Sequence, residues 1–126
     1  MSQIPLIAIV DDDLAIREAL DGLVKSLGHE SKLFASAEAF LDFRQRSSID
    51  CMVVDVKMPG MSGVDLQGRL NKDGDRPPMI FMTSYNDDRT RAAALDGGAL
   101  AFLGKPVDLS QLIEYIDLAL AQRRRG

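Results

Sequence analysis

Four short, almost unbroken apolar runs constrain this chain more than any other feature: Ile4 to Val10, Cys51 to Val56, Met79 to Thr83 and Ala99 to Leu103. A strand with one wet face alternates apolar and polar residues, so a continuous run implies a strand covered on both sides. A weaker run, Lys32 to Ala35, suits an edge strand. Between the runs the apolar residues fall at helical spacing. Ile16, Ala19, Leu20, Leu23, Val24 and Leu27 form one stripe, with Gly28 as the stop. Ala37, Phe40 and Leu41 mark a shorter helix, Val64, Leu66 and Leu70 another, and Ala92 and Leu95 a small-residue one ending at Gly97-Gly98. Leu109, Leu112, Ile113, Ile116 and Leu120 mark the last, with Asp108 placed as its N-cap. Each stripe is read as core packing. Strands alternating with helices in this way imply right-handed crossovers, and hence a three-layer α/β sandwich with a parallel sheet between two helical layers.

The 126 residues suit one domain, 1–126, large enough to hold together without disulfides or a structural metal. Cys51 is the only cysteine and His29 the only histidine, which excludes an internal disulfide or a tetrahedral zinc cluster and points to a reducing, cytoplasmic setting. Cys51 reads as a small buried residue, and His29 as part of an exposed turn. A net charge of −4 lacks the basic footprint of a nucleic-acid-binding domain, so direct contact with nucleic acid is not expected. Arg123, Arg124 and Arg125 read as a solvated last helical turn, offsetting the negative end of the macrodipole. No signal peptide is apparent, and no apolar stretch approaches the roughly 20 residues of a membrane span.

Polar residues gather at the C-terminal ends of the runs: Asp11-Asp12-Asp13 after the first, Asp55 in the third, Thr83-Ser84 at the fourth and Lys105-Pro106 beyond the fifth. Ligands of open parallel sheets bind at that rim. Asp11 to Asp13 could simply cap the next helix, but Asp55 inside a buried run has no such excuse, because an unpaired buried charge costs several kcal/mol. Crowded carboxylates call for a cation, and magnesium fits an open acidic rim because it takes a few protein oxygens and completes its shell with water and phosphate oxygen. Lys105 supplies a point charge for a phosphoryl oxygen and Thr83 a hydroxyl donor. A carboxylate nucleophile, a metal, a lysine and a hydroxyl together suit formation of an aspartyl phosphate.

The chain resembles the receiver domains of two-component response regulators over essentially its whole length. The resemblance rests on Val10-Asp11-Asp12, on Asp55-Val56-Lys57-Met58-Pro59-Gly60-Met61-Ser62-Gly63, on Thr83 and on Phe102 to Pro106, in order and at familiar separations. It implies a flavodoxin-like (βα)5 doubly wound sheet of strand order 2-1-3-4-5. It also implies Asp55 as phosphoacceptor from a sensor histidine kinase, magnesium held by Asp11, Asp12, Asp55 and the carbonyl of Lys57, Lys105 against the phosphoryl group, and a cis bond before Pro106. Thr83 and Phe102 become the switch pair, although Phe102 by itself reads as core. The fourth helix, fifth strand and fifth helix become the face that binds a partner or a second copy. Such a domain is a signalling phosphoacceptor rather than an enzyme with turnover, and serves transcription control. Lys57 and Tyr85 stand where the family tunes the phosphoryl lifetime. Ser36 to Leu41 and the turn from Met58 to Gly63 are most similar to FixJ/LuxR-type regulators. Two alternatives remain at this point: a haloacid-dehalogenase-like phosphohydrolase with Asp11 as nucleophile and Asp13 as acid/base, and a receiver-like interaction module that is never phosphorylated.

Overall fold

The apolar runs become strands β1 (Leu6–Val10), β3 (Cys51–Asp55), β4 (Met79–Thr83) and β5 (Ala101–Gly104), while the weak run becomes the edge strand β2 (Glu30–Phe34). The computed structural model describes residues 4–74, 76–84 and 87–125. The strands form one parallel sheet in the order β2-β1-β3-β4-β5. β3 and β4 are buried along their whole length, as continuous apolar runs require. β2 begins at Glu30, two residues earlier than the sequence suggests, because it pairs with β1 from Leu6 onward.

Helices α1 (Leu14–Ser26) and α5 (Leu109–Arg125) cover one face; α2 (Ala37–Asp42), α3 (Gly63–Asp73) and α4 (Asp88–Asp96) cover the other. Short polar side chains start them. Asp13 accepts from the N–H groups of Ala15 and Ile16, Ser36 from Ala39, Asp87 from Arg89, and Asp108 from Ser110 and Gln111. Ser62 and Asp65 form a reciprocal capping box on α3, and α3 ends at Gly74 with φ of 82°. Gly28 follows α1 with φ of 84°, the left-handed stop its position suggested.

The two cores differ in chemistry. All five phenylalanines lie on the α2–α3–α4 face, Phe34, Phe40, Phe81 and Phe102 buried and Phe43 packed against them. The α1–α5 face is aliphatic, with Ile7, Ile9, Val53, Ile80, Leu112 and Ile116 at its centre. Three stripes differ from expectation, the first in α1, where Ala19 is exposed. Ala92 and Leu95 of α4 are exposed and Ala94 faces the core instead; Leu109, expected to pack, is 54% exposed. His29 is half-buried rather than exposed, with its Nδ1 shielded and without a hydrogen-bond partner. Cys51 is buried as expected. Arg123 is half-buried and donates to the carbonyl of Ser47 at 3.3 Å, so it is not simply solvated; the side chains of Arg124 and Arg125 lie outside the described residues. Among the described residues no helix is long and apolar enough to cross a membrane.

Candidate functional site

The parallel register carries the ends of β1, β3, β4 and β5 to one rim. Asp11 follows β1 directly and is fully buried, Asp55 ends β3 at 6% exposure, and Thr83 ends β4 at 1%. Carboxylate oxygens of Asp11, Asp12 and Asp55 lie within 4.8 Å of one another, with Asp12 on the exposed side. Lys105 enters from the loop after β5. Its Nζ stands 3.1 Å from Asp11 Oδ2 and 3.5 Å from Asp55 Oδ2, and its own N–H donates to the Thr83 carbonyl at 2.7 Å. The bond from Lys105 to Pro106 is cis.

The backbone fixes these groups tightly. Asp11 donates its N–H to Phe34 O and accepts the N–H of Asp13 on Oδ1, and its carbonyl takes Arg17 Nη1 at 2.7 Å. Asp55 is walled in by the start of α3: a Cβ on Gly63 would sit 2.5 Å from the Asp55 carbonyl oxygen and 3.0 Å from Val54. Only glycine allows so close an approach. The loop between β3 and α3 is closed where Gly63 donates to Val56 O at 2.8 Å.

The electrostatics are unbalanced. One ammonium faces three carboxylates, two of them out of water. Burial first, and the neighbouring Asp11 second, push the Asp55 carboxyl up to about 6, with Lys105 opposing them. Such a site stabilises added positive charge. Its donors are hard carboxylate oxygens with one edge open, a set suited to a small divalent ion of the magnesium kind. The Asp13 carboxylate is not part of the cluster: it accepts from the first turn of α1, and only the Asp13 backbone N–H reaches Asp11. The helix-cap reading therefore holds for Asp13 alone.

Lys57 is exposed on the β3–α3 loop beside this cluster. Phe102 is 7% exposed on β5, on the α4 face, with its ring 6.4 Å from Phe81 and tilted by 45°. Tyr85 lies outside the described residues. The structure adds residues that reading the sequence for chemistry missed: Arg17, which steadies Asp11; Glu38, which takes the N–H of Met61 at 2.9 Å; and Gln67, buried in α3. Of these only Gln67 carried a signal, a polar residue beside the apolar stripe.

A family model described as the response regulator receiver domain matches residues 7–117. The response regulator protein TodT of Pseudomonas putida is 40% identical over 115 residues, covering 91% of this chain and 51% of that protein. The transcriptional regulatory protein FixJ of Bradyrhizobium diazoefficiens is 37% identical over 116 residues, covering 92% of the chain and 57% of FixJ. Among solved structures, FixJ-N matches with a TM-score of 0.84 at 33% identity over 95% of this chain and 96% of that one. The response regulator StyR matches with a TM-score of 0.88 at 38% identity, over 98% and 64%. The chain thus spans about half the length of the curated relatives it matches.

Proposed function

The chain belongs to the response regulator receiver domains, and from that we propose that Asp55 accepts a phosphoryl group, with Asp11, Asp12, Asp55 and the Lys57 carbonyl holding magnesium. The observation that carries this reading is the meeting of the Asp55 and Asp11 carboxylates within 3.5 Å of the Lys105 ammonium at the strand-end rim. Bound there, the metal supplies positive charge to the carboxylates and to the phosphoryl oxygens. An oxygen of Asp55 attacks phosphorus, the bond from phosphorus to the donor's imidazole nitrogen breaks, and the imidazole leaves with the electron pair and takes up a proton. Lys105 then exchanges its contact with Asp55 for a phosphoryl oxygen, and the Thr83 hydroxyl donates to another.

The donor partner is a sensor histidine kinase. Added charge and acceptor oxygens favour the arrangement in which Thr83 and Lys105 engage the phosphate, and Phe102 follows Thr83. The output face is α4, β5 and α5, offered to a partner or a second copy, and the transcription control named for the relatives FixJ and TdiR is proposed for the whole protein. The phosphohydrolase alternative loses its acid/base, because Asp13 is committed to capping α1. A small phosphodonor, with and without magnesium, tests the proposal by intact mass. Expected is one hydroxylamine-labile phosphoryl group that needs magnesium and vanishes in Asp55→Asn. Label retained by Asp55→Asn overturns the assignment, and no label under any donor favours the unphosphorylated module.

A further inference from the structure

The β3–α3 loop is held at three points that differ in kind. At its base, Val56 donates to Met82 O at 2.9 Å and accepts from Gly63 at 2.8 Å. In its middle, Met58 is buried in the phenylalanine-lined core. Its outer part is reached from another helix: Glu38, in the first turn of α2 and 23 residues away in sequence, accepts the Met61 N–H on Oε2 at 2.9 Å. The fit is close, since a Cβ on Gly60 would lie 2.6 Å from the same oxygen, and Gly60 also has φ of 78°. The Met61 N–H is the largest influence holding the Glu38 carboxyl below its ordinary value. Lys57 sits between the base and the middle anchors.

We propose that Glu38 is a positioning residue for the phosphoacceptor site: by fastening the outer loop to α2, it keeps the Lys57 carbonyl set for the cation. The proposal rests on the reading that Lys57 is a backbone ligand. A carbonyl on a loop loses affinity when the loop is free to turn it away, because binding then has to order the loop first. Glu38 touches neither metal nor phosphate. It acts through the backbone of residues 57 to 61.

The test is Mg2+ affinity by titration calorimetry on wild type, Glu38→Ala and Glu38→Gln, with melting of each protein in chelator alongside. Glu38→Gln keeps a carbonyl oxygen for the Met61 N–H, so it should bind within about twofold of wild type. Glu38→Ala should bind about fivefold more weakly, the size expected for the loss of one hydrogen bond that is not made to a ligand itself. A merely structural Glu38 would lower the melting temperature of Glu38→Ala and leave its Mg2+ affinity unchanged, which overturns the proposal. Equal weakening in both variants also overturns it, since the hydrogen bond would then not be the cause. Failure of wild type itself to bind Mg2+ would remove the metal site along with the proposal, an outcome distinct from the other two.

Discussion

Helix α5 is fastened to the sheet by Leu112, Ile116, Ala119 and Leu120, whereas α4 buries Ala94 alone among its own residues. What α4 lacks in apolar contact is partly replaced by polar ties at its C-terminal end. Gln67 Nε2 donates to the Ala94 carbonyl at 2.8 Å, Asn71 Nδ2 to Gly97 O at 2.9 Å, and Arg76 Nε to Asn71 Oδ1 at 2.6 Å. Each buried leucine or isoleucine contributes about 2 kcal/mol, and each such hydrogen bond about 1 kcal/mol net. The chemistry divides along the same line. Asp55 pairs in register with Met82 of the aliphatic face, while Phe102, and Thr83 by the alternation of β4, belong to the α4 face. The face under the firmly packed α5 thus carries the charges, and the face under the loosely tied α4 carries the residues proposed to report on them.

The largest effect should come from α5. Ile116→Ala removes a fully buried side chain from the aliphatic core and should cost about 3 kcal/mol in urea unfolding at unchanged slope. The matching truncation on α4, Leu95→Ala, acts at a side chain 41% exposed and should stay within about 0.5 kcal/mol. Similar losses in the two would end the contrast between α5 and α4.

The second effect is electrostatic and arises where the aliphatic face meets the rim. The Asp55 carboxyl titrates near 6 in the fold, raised first by burial and then by Asp11, against an ordinary 3.8. A raised folded value means that the protonated form is the better-folded one. The stability tied to that proton is fully present below about 3.8 and is lost as pH rises through about 6. In chelator, Asp55→Asn should therefore be more stable than wild type by about 2 kcal/mol at pH 7.5 and equal to it near pH 3.5. Urea midpoints at the two pH values measure this, and added Mg2+ should close the gap at pH 7.5 by stabilising wild type. A gap that persists at low pH would show that the load on the rim is not the ionised Asp55.

The same division separates what could be read in the sequence from what could not. Continuous runs announced the strands, and Asp55 announced the site, because a carboxylate inside an apolar run has few structural explanations. Asp11, Thr83 and Lys105 followed from their places at strand ends. α4 was legible as a helix but not in its orientation: with Ala92, Ala93, Ala94 and Leu95 in a row, apolar spacing cannot say which residue turns inward. The structure answers with a polar contact, since the Gln67 amide meets the α4 backbone beside Ala94. Glu38 and Arg17 were invisible for a related reason. Both bond backbone groups, Met61 N–H and Asp11 carbonyl, and a backbone group is present at every position whatever the side chain.

The smallest effect probes the polar tie itself. Gln67→Met keeps the volume of a side chain that is 2% exposed and removes its donor to the Ala94 carbonyl. That carbonyl still accepts the Ala99 N–H at 3.0 Å, so the cost should stay near 1 kcal/mol. Hydrogen exchange separates this loss from a general one. If α4 opens locally, breaking the tie is part of the opening, and α4 amides should exchange about fivefold faster in Gln67→Met. Ile116→Ala weakens only contacts that survive such an opening, so the same amides should exchange at the wild-type rate in it, while amides exposed only by full unfolding accelerate. An equal response of α4 to both substitutions would mean that it lets go only with the whole domain, and that α4 is as firmly held as α5.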